Sequence, residues 1–149
     1  MEQIEFPDLR TWEARRQWFE AQEQAASQSG APAPSEQAVA LMLDLQATFC
    51  VGAWAATVVL AAAILDSQAR ESGDRFAPVP GVRNSEVRWL RDLRNRLLHE
   101  DRTNPVLTID DQWLGRGTWE RKARRAVSAA ITALYPGSAA LEPTEQDWD

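Results

Sequence analysis

The residues able to do chemistry concentrate in Val87-Arg-Trp-Leu-Arg-Asp-Leu-Arg-Asn-Arg-Leu-Leu-His-Glu100. This stretch holds His99, the only histidine of the chain, five residues after Arg94 and four after Asn95. Imidazole titrates near neutral pH and suits general acid–base work. Guanidinium stays charged and presents forked donors to phosphate oxygens. Together they could cleave a phosphodiester that carries its own nucleophile, the 2′-hydroxyl of RNA. A base would remove the hydroxyl proton while the cation steadies charge on the phosphate. At 100° per residue, Asn95 lies one helical turn before His99 and could orient its ring through an i,i+4 contact. Trp89, Leu93, Leu97, Leu90, Val87 and Leu98 form an apolar arc, with Arg94 inside it and Arg91 between Arg94 and Asn95. A charge among core positions must be paired or face a wet crevice. An ion pair with Asp66 or Asp92 is therefore the structural alternative for Arg94. One chain supplies one imidazole, so a separate general acid calls for a second copy in a symmetric homodimer.

Four helices are expected to position this stretch. Asp8 caps the first, which carries Trp12, Trp18 and Phe19 and fades toward residue 29. Ser35 caps the second, which meets no proline before about Glu71. Asn84-Ser85 caps the third, from Glu86 to about Asp101, and Arg102–Gly117 reads as a long connection. Thr118 caps the fourth, Trp119 to Tyr135, which Pro136-Gly137 stops. Only Val106-Leu107-Thr108-Ile109 looks strand-like, and there is no internal repeat. The expected fold is all-α, an up-and-down bundle of four main helices. It forms a single domain over residues 1–149, with a core of about 35–135, an N-terminal helix of about 8–29 and an acidic tail at 138–149. Leu45–Leu65 is an uncharged run of 21 residues, long enough to raise the question of a membrane span. Its alanines, its polar Gln46, Thr48 and Thr57, and the acidic residues at both ends favour a buried core helix, so no membrane association is expected.

Composition narrows the function classes. The 22 acidic and 16 basic residues of this 149-residue chain give −6, yet the charge is unevenly spread. Arg83 to Arg125 holds eleven basic and seven acidic residues (+4), leaving five basic and fifteen acidic elsewhere (−10). A basic block in an acidic chain keeps a localised RNA site open. Arg116, Arg121, Lys122, Arg124 and Arg125 read either as a solvated face or as a wall tracking phosphates. Trp113 and Trp119 beside them could stack on bases or anchor the core. A single cysteine, Cys50, excludes a disulfide framework, and one histidine excludes a multi-histidine metal site. No metal and no cofactor are expected. The N-terminus, Met1-Glu2-Gln3-Ile4-Glu5, lacks signal-peptide character, so a reducing, cytoplasmic home is the default. Gly-rich phosphate loops and serine or cysteine triads are absent from the sequence.

Arg94-Asn95-Arg96-Leu97-Leu98-His99 resembles the Arg–polar–x3–His signature of the HEPN superfamily, many of whose members are ribonucleases of toxin–antitoxin and anti-phage defence systems. The order of elements is similar too, over roughly Ser35 to Tyr135. The resemblance implies an all-α bundle that dimerises with both motifs lining one cleft. It also implies metal-independent endonucleolytic cleavage that leaves a 2′,3′-cyclic phosphate. Carried over by residue, Arg94 would bind phosphate, Asn95 would be the polar partner and His99 the base or acid. Arg91, Arg96, Arg121 and Arg125 complete the expected contacts to RNA. An antitoxin or a nucleotidyltransferase-like protein is the expected protein partner. In the branch paired with nucleotidyltransferase antitoxins, a tyrosine two residues beyond the histidine is modified; Asp101 stands there, and the only tyrosine is Tyr135. The alternative is a non-catalytic HEPN-like binding or dimerisation module, acting as accessory subunit of a defence or toxin–antitoxin complex.

Overall fold

In the computed structural model, residues 6–27, 33–69 and 77–137 are described. The Asp8 carboxylate accepts the Thr11 amide at 2.7 Å and so starts α1, Leu9–Ser27. Phe19 and Ala26 turn inward from it, and Trp18 lies against Phe49 at 5.0 Å between ring centroids. The Ser35 hydroxyl accepts the Ala38 amide and starts α2, Glu36–Val51. Both caps satisfy amides that the first turn leaves without a helical partner.

The expected uninterrupted second helix is in fact two. Gly52 takes φ +80°, its amide donates to the Phe49 carbonyl, and the Ala53 amide donates to the Thr48 carbonyl at 2.9 Å. This left-handed ending is cheap only for glycine. The chain restarts as α3, Trp54–Ser67. The uncharged run is thereby folded back on itself, and among the described residues no helix is long and apolar enough to cross a membrane.

After the turn at Gly81, the next helix starts earlier than Asn84-Ser85 would set it. Arg83 precedes its first turn and no side chain caps it, so α4 spans Asn84–Leu98 and stops before His99. The expected connection contains α5, Ile109–Trp113, closed by a capping box between Thr108 and Asp111. The last helix, α6, spans Arg116–Leu134; Gly115 precedes it and Thr118 lies inside its first turn. Residues 28–32 of the first connection and the acidic tail lie outside the described residues.

The chain is thus all-helical, with six helices and no strand among the described residues. α3 lies at the centre and packs most extensively on α6, then on α2 and α4. Ala61 and Ala62 of α3 and Ala123, Ala126 and Ala130 of α6 are fully buried, and side chains this small let two helices approach closely. Larger side chains, Phe49, Leu45, Ile64, Leu65 and Leu90, fill the remaining core. α1 covers α2 and α6, and its Phe19 belongs to the same cluster.

Candidate active site at the end of the fourth helix

The face that α4 buries is rotated relative to the apolar arc drawn from the sequence. Val87, Leu90 and Leu93 are inside as expected, but so is Arg91 at 5% exposure, whereas Leu98 is 57% exposed. The reason is a polar network that reaches across three segments. Arg91 Nε donates to Asp66 Oδ1 at 2.8 Å, and Arg91 Nη1 donates to the Ala77 carbonyl at 2.7 Å. Asp66 lies in the last turn of α3, and its other oxygen accepts a hydrogen bond from Arg94 Nη1. Of the two ion-pair partners that the sequence leaves open for Arg94, the chain uses Asp66. A buried guanidinium is tolerable here because it meets both a carboxylate and a carbonyl.

Asn95 serves Arg94 rather than His99. Its side-chain oxygen accepts from Arg94 Nε at 3.3 Å and from Arg94 Nη2 at 3.1 Å. The expected i,i+4 contact with the imidazole is not formed, because His99 has left the helix. Its dihedrals, φ −122° and ψ 90°, are extended, and only its backbone amide still bonds to the Asn95 carbonyl, at 2.9 Å. The His99 side chain is exposed and forms no hydrogen bond with the described residues. Two residues on, Asp101 accepts from the Thr103 hydroxyl at 2.7 Å and from the Thr103 amide at 3.0 Å. These bonds, with Arg96 nearby, hold the Asp101 carboxyl below the usual carboxylate range. Asp101 therefore keeps its negative charge, two residues beyond His99.

The other arginines expected to touch RNA fall in different settings. Arg96 is exposed on the same end of α4. Among the described residues Arg121 donates to the Thr118 hydroxyl, at 3.3 Å. Arg125 is paired with Glu86 through two hydrogen bonds, 2.9 and 2.5 Å, and lies 4.0 Å over the Trp89 ring, so it ties α6 to α4. Arg124 stacks on Trp18 and Phe49, and Lys122 on Trp119. Trp119 is a core anchor, whereas Trp113 is 43% exposed.

What reasoning from sequence did not find is the role of Ala77 and the burial of Arg91. Helical spacing placed Arg91 beside the arc, but no local pattern announces a carbonyl fourteen residues earlier as its acceptor. Chemically, the end of α4 offers a guanidinium, Arg94, held by the carboxylate that Arg91 also meets, and an exposed imidazole five residues on. Among the described residues no group of His, Cys, Asp and Glu could hold a metal ion. No family model matches the chain, and neither a curated protein nor a solved structure shows significant similarity to it.

Proposed function

We propose that the protein is a metal-independent endoribonuclease of the HEPN type, acting as a homodimer in a toxin or anti-phage defence role. The observation that carries this reading is that the end of α4 carries Arg94, held by Asp66 and Asn95, and that five residues on stands an exposed His99 whose side chain forms no hydrogen bond with the described residues. In the proposed reaction one imidazole takes the proton of the RNA 2′-hydroxyl. The oxygen then attacks the adjacent phosphorus, and Arg94 balances the charge on the phosphate oxygens. The 5′-oxygen leaves with a proton from the second copy's imidazole, and the product ends in a 2′,3′-cyclic phosphate. Leu98, exposed next to His99, offers an apolar contact for the pairing of two copies. An RNA substrate also fits a reducing, cytoplasmic setting, and an antitoxin-like partner would restrain the activity.

The second reading, a non-catalytic module that binds RNA or a partner protein, draws on the engagement of Arg94 by Asp66. One experiment separates the two: incubation of the full chain with total RNA and tRNA in EDTA, followed by end-group analysis. The ribonuclease reading expects cyclic-phosphate ends from wild type. It also expects losses of about 100-fold or more for His99→Ala and for Arg94→Ala, the scale of a general acid–base group. Cleavage in EDTA that survives His99→Ala would overturn the mechanism, and RNA binding without any cyclic ends would establish the module.

A further inference from the structure

We infer that Asp66 is a positioning residue for Arg94, a role that rests on the ribonuclease reading above. The network is anchored from its buried side. Arg91 is the buried member, with its side chain 6% exposed, while the side chains of Arg94 and Asp66 are 20% and 34% exposed. Arg91 is itself held to the Ala77 carbonyl, so the carboxylate of Asp66 meets a fixed cation on its Oδ1 side. Its Oδ2 is thereby directed outward, toward Arg94 Nη1. Asn95 takes the opposite side of the same guanidinium through Nε and Nη2.

Arg94 is therefore gripped on two sides before any ligand arrives. A guanidinium has five N–H donors. One on Nη1 is used by Asp66, and those on Nε and one on Nη2 are used by Asn95. One N–H on each terminal nitrogen is left for phosphate oxygens. A free arginine side chain would have to be frozen on binding, whereas this one is already ordered. Asp66 sits on α3 and Asn95 on α4, so the orientation of the phosphate-binding group depends on the packing of these two helices.

The competing possibility is that Asp66 merely holds α3 to α4. A double-mutant cycle on the full chain distinguishes the two. Single-turnover RNA cleavage is measured for wild type, Asp66→Asn, Arg94→Ala and the double variant. The positioning role expects Asp66→Asn to slow cleavage by about 10- to 100-fold, the cost of a misplaced group. In the Arg94→Ala background the same change should then matter less than about twofold. It also expects Asp66→Asn to lower the log–log salt slope for binding a non-cleavable 2′-deoxy-substituted RNA by about 0.7, one phosphate contact on a single strand. Asp66→Asn removes the carboxylate that the buried Arg91 Nε meets. Should that variant fail to fold, Asp66→Asn/Arg91→Met removes the buried charge as well and is expected to show the same slowing and the same slope. Unchanged cleavage in Asp66→Asn, effects that simply multiply in the double variant, or an unchanged slope would each overturn the positioning role alone. A wild-type chain that makes no cyclic-phosphate ends would overturn the ribonuclease reading and this role with it.

Discussion

Two arginine clusters sit at opposite ends of α3 and are used in different ways. At its start, Arg15 donates to the Cys50 carbonyl at 3.2 Å and Arg116 to the Gly52 carbonyl at 2.6 Å. Both lie over the Trp54 ring, at 4.7 and 5.4 Å, and burial beside Arg15 pushes the Arg116 guanidinium down from its ordinary value. These cations close the carbonyl end of α2, where the helix dipole also favours positive charge. At the other end, Arg91 is buried and likewise held by a carbonyl, that of Ala77, together with Asp66, whereas Arg94 stays partly exposed and meets the side-chain oxygens of Asp66 and Asn95. A count of arginines therefore says little about anion binding. What matters is whether backbone carbonyls and aromatic rings have already taken the donors.

That contrast can be broken by substitution. Arg94→Ala should remove RNA cleavage by about 100-fold or more, yet shift stability by no more than about 1 kcal/mol, because its ion pair is partly exposed. Equal losses of activity and stability would show that the two ends of α3 do not differ in kind. Gly52→Ala should cost about 2 kcal/mol, read as a lower denaturation midpoint with unchanged cleavage. Its φ is +80°, and a Cβ there would lie 3.0 Å from Arg116 Nη2 and 3.1 Å from Arg15 Nη1. Arg116→Ala should cost somewhat less, about 1.5 kcal/mol, from the lost charge-assisted bond to Gly52, again with the catalytic rate intact. A rate that fell with Arg116 would extend the active surface to the far end of α3.

The smallest effect concerns a carboxylate. Burial, and then the charge of Glu20, lift the Glu23 carboxyl above its ordinary range. Its folded value exceeds its unfolded one, so the neutral form is favoured in the fold. The stabilising contribution is complete at acid pH and is lost as pH rises through the folded value. Glu23→Gln should thus raise the melting temperature slightly at pH 7, by less than about 1 kcal/mol in stability, and make no difference near pH 3. A gain that persisted at pH 3 would assign it to packing instead.

The all-helical class and the Asp8 and Ser35 caps could be read from sequence, because each depends on residues close together in the chain. The partner of Arg94 could only be narrowed to Asp66 or Asp92, since Asp66 lies 28 positions earlier. The break at Gly52 could not. An isolated glycine is compatible with a continuous helix, and its left-handed turn here is met by arginines 37 positions earlier and 64 later. The Thr108–Asp111 box of α5 is a local signal, but it uses Asp where Glu or Gln is the usual reciprocal partner. The burial of Arg91 and the departure of His99 from the helix are set by where α4 ends and by what α3 and Ala77 bring to it. Both are tertiary facts, and helical periodicity assumes a helix that continues.

The buried Arg91 has a last consequence, for uniqueness rather than strength. The leucines of α4 would pack almost as well against α3 if the helix slid by one turn, since apolar contacts are not directional. The guanidinium would not, because only the observed register brings it to both the Asp66 carboxylate and the Ala77 carbonyl. A one-turn displacement would take Arg91 away from both acceptors. The core thus carries an internal gauge that separates one docking of α4 from its near neighbours and widens the energy gap beneath the native state.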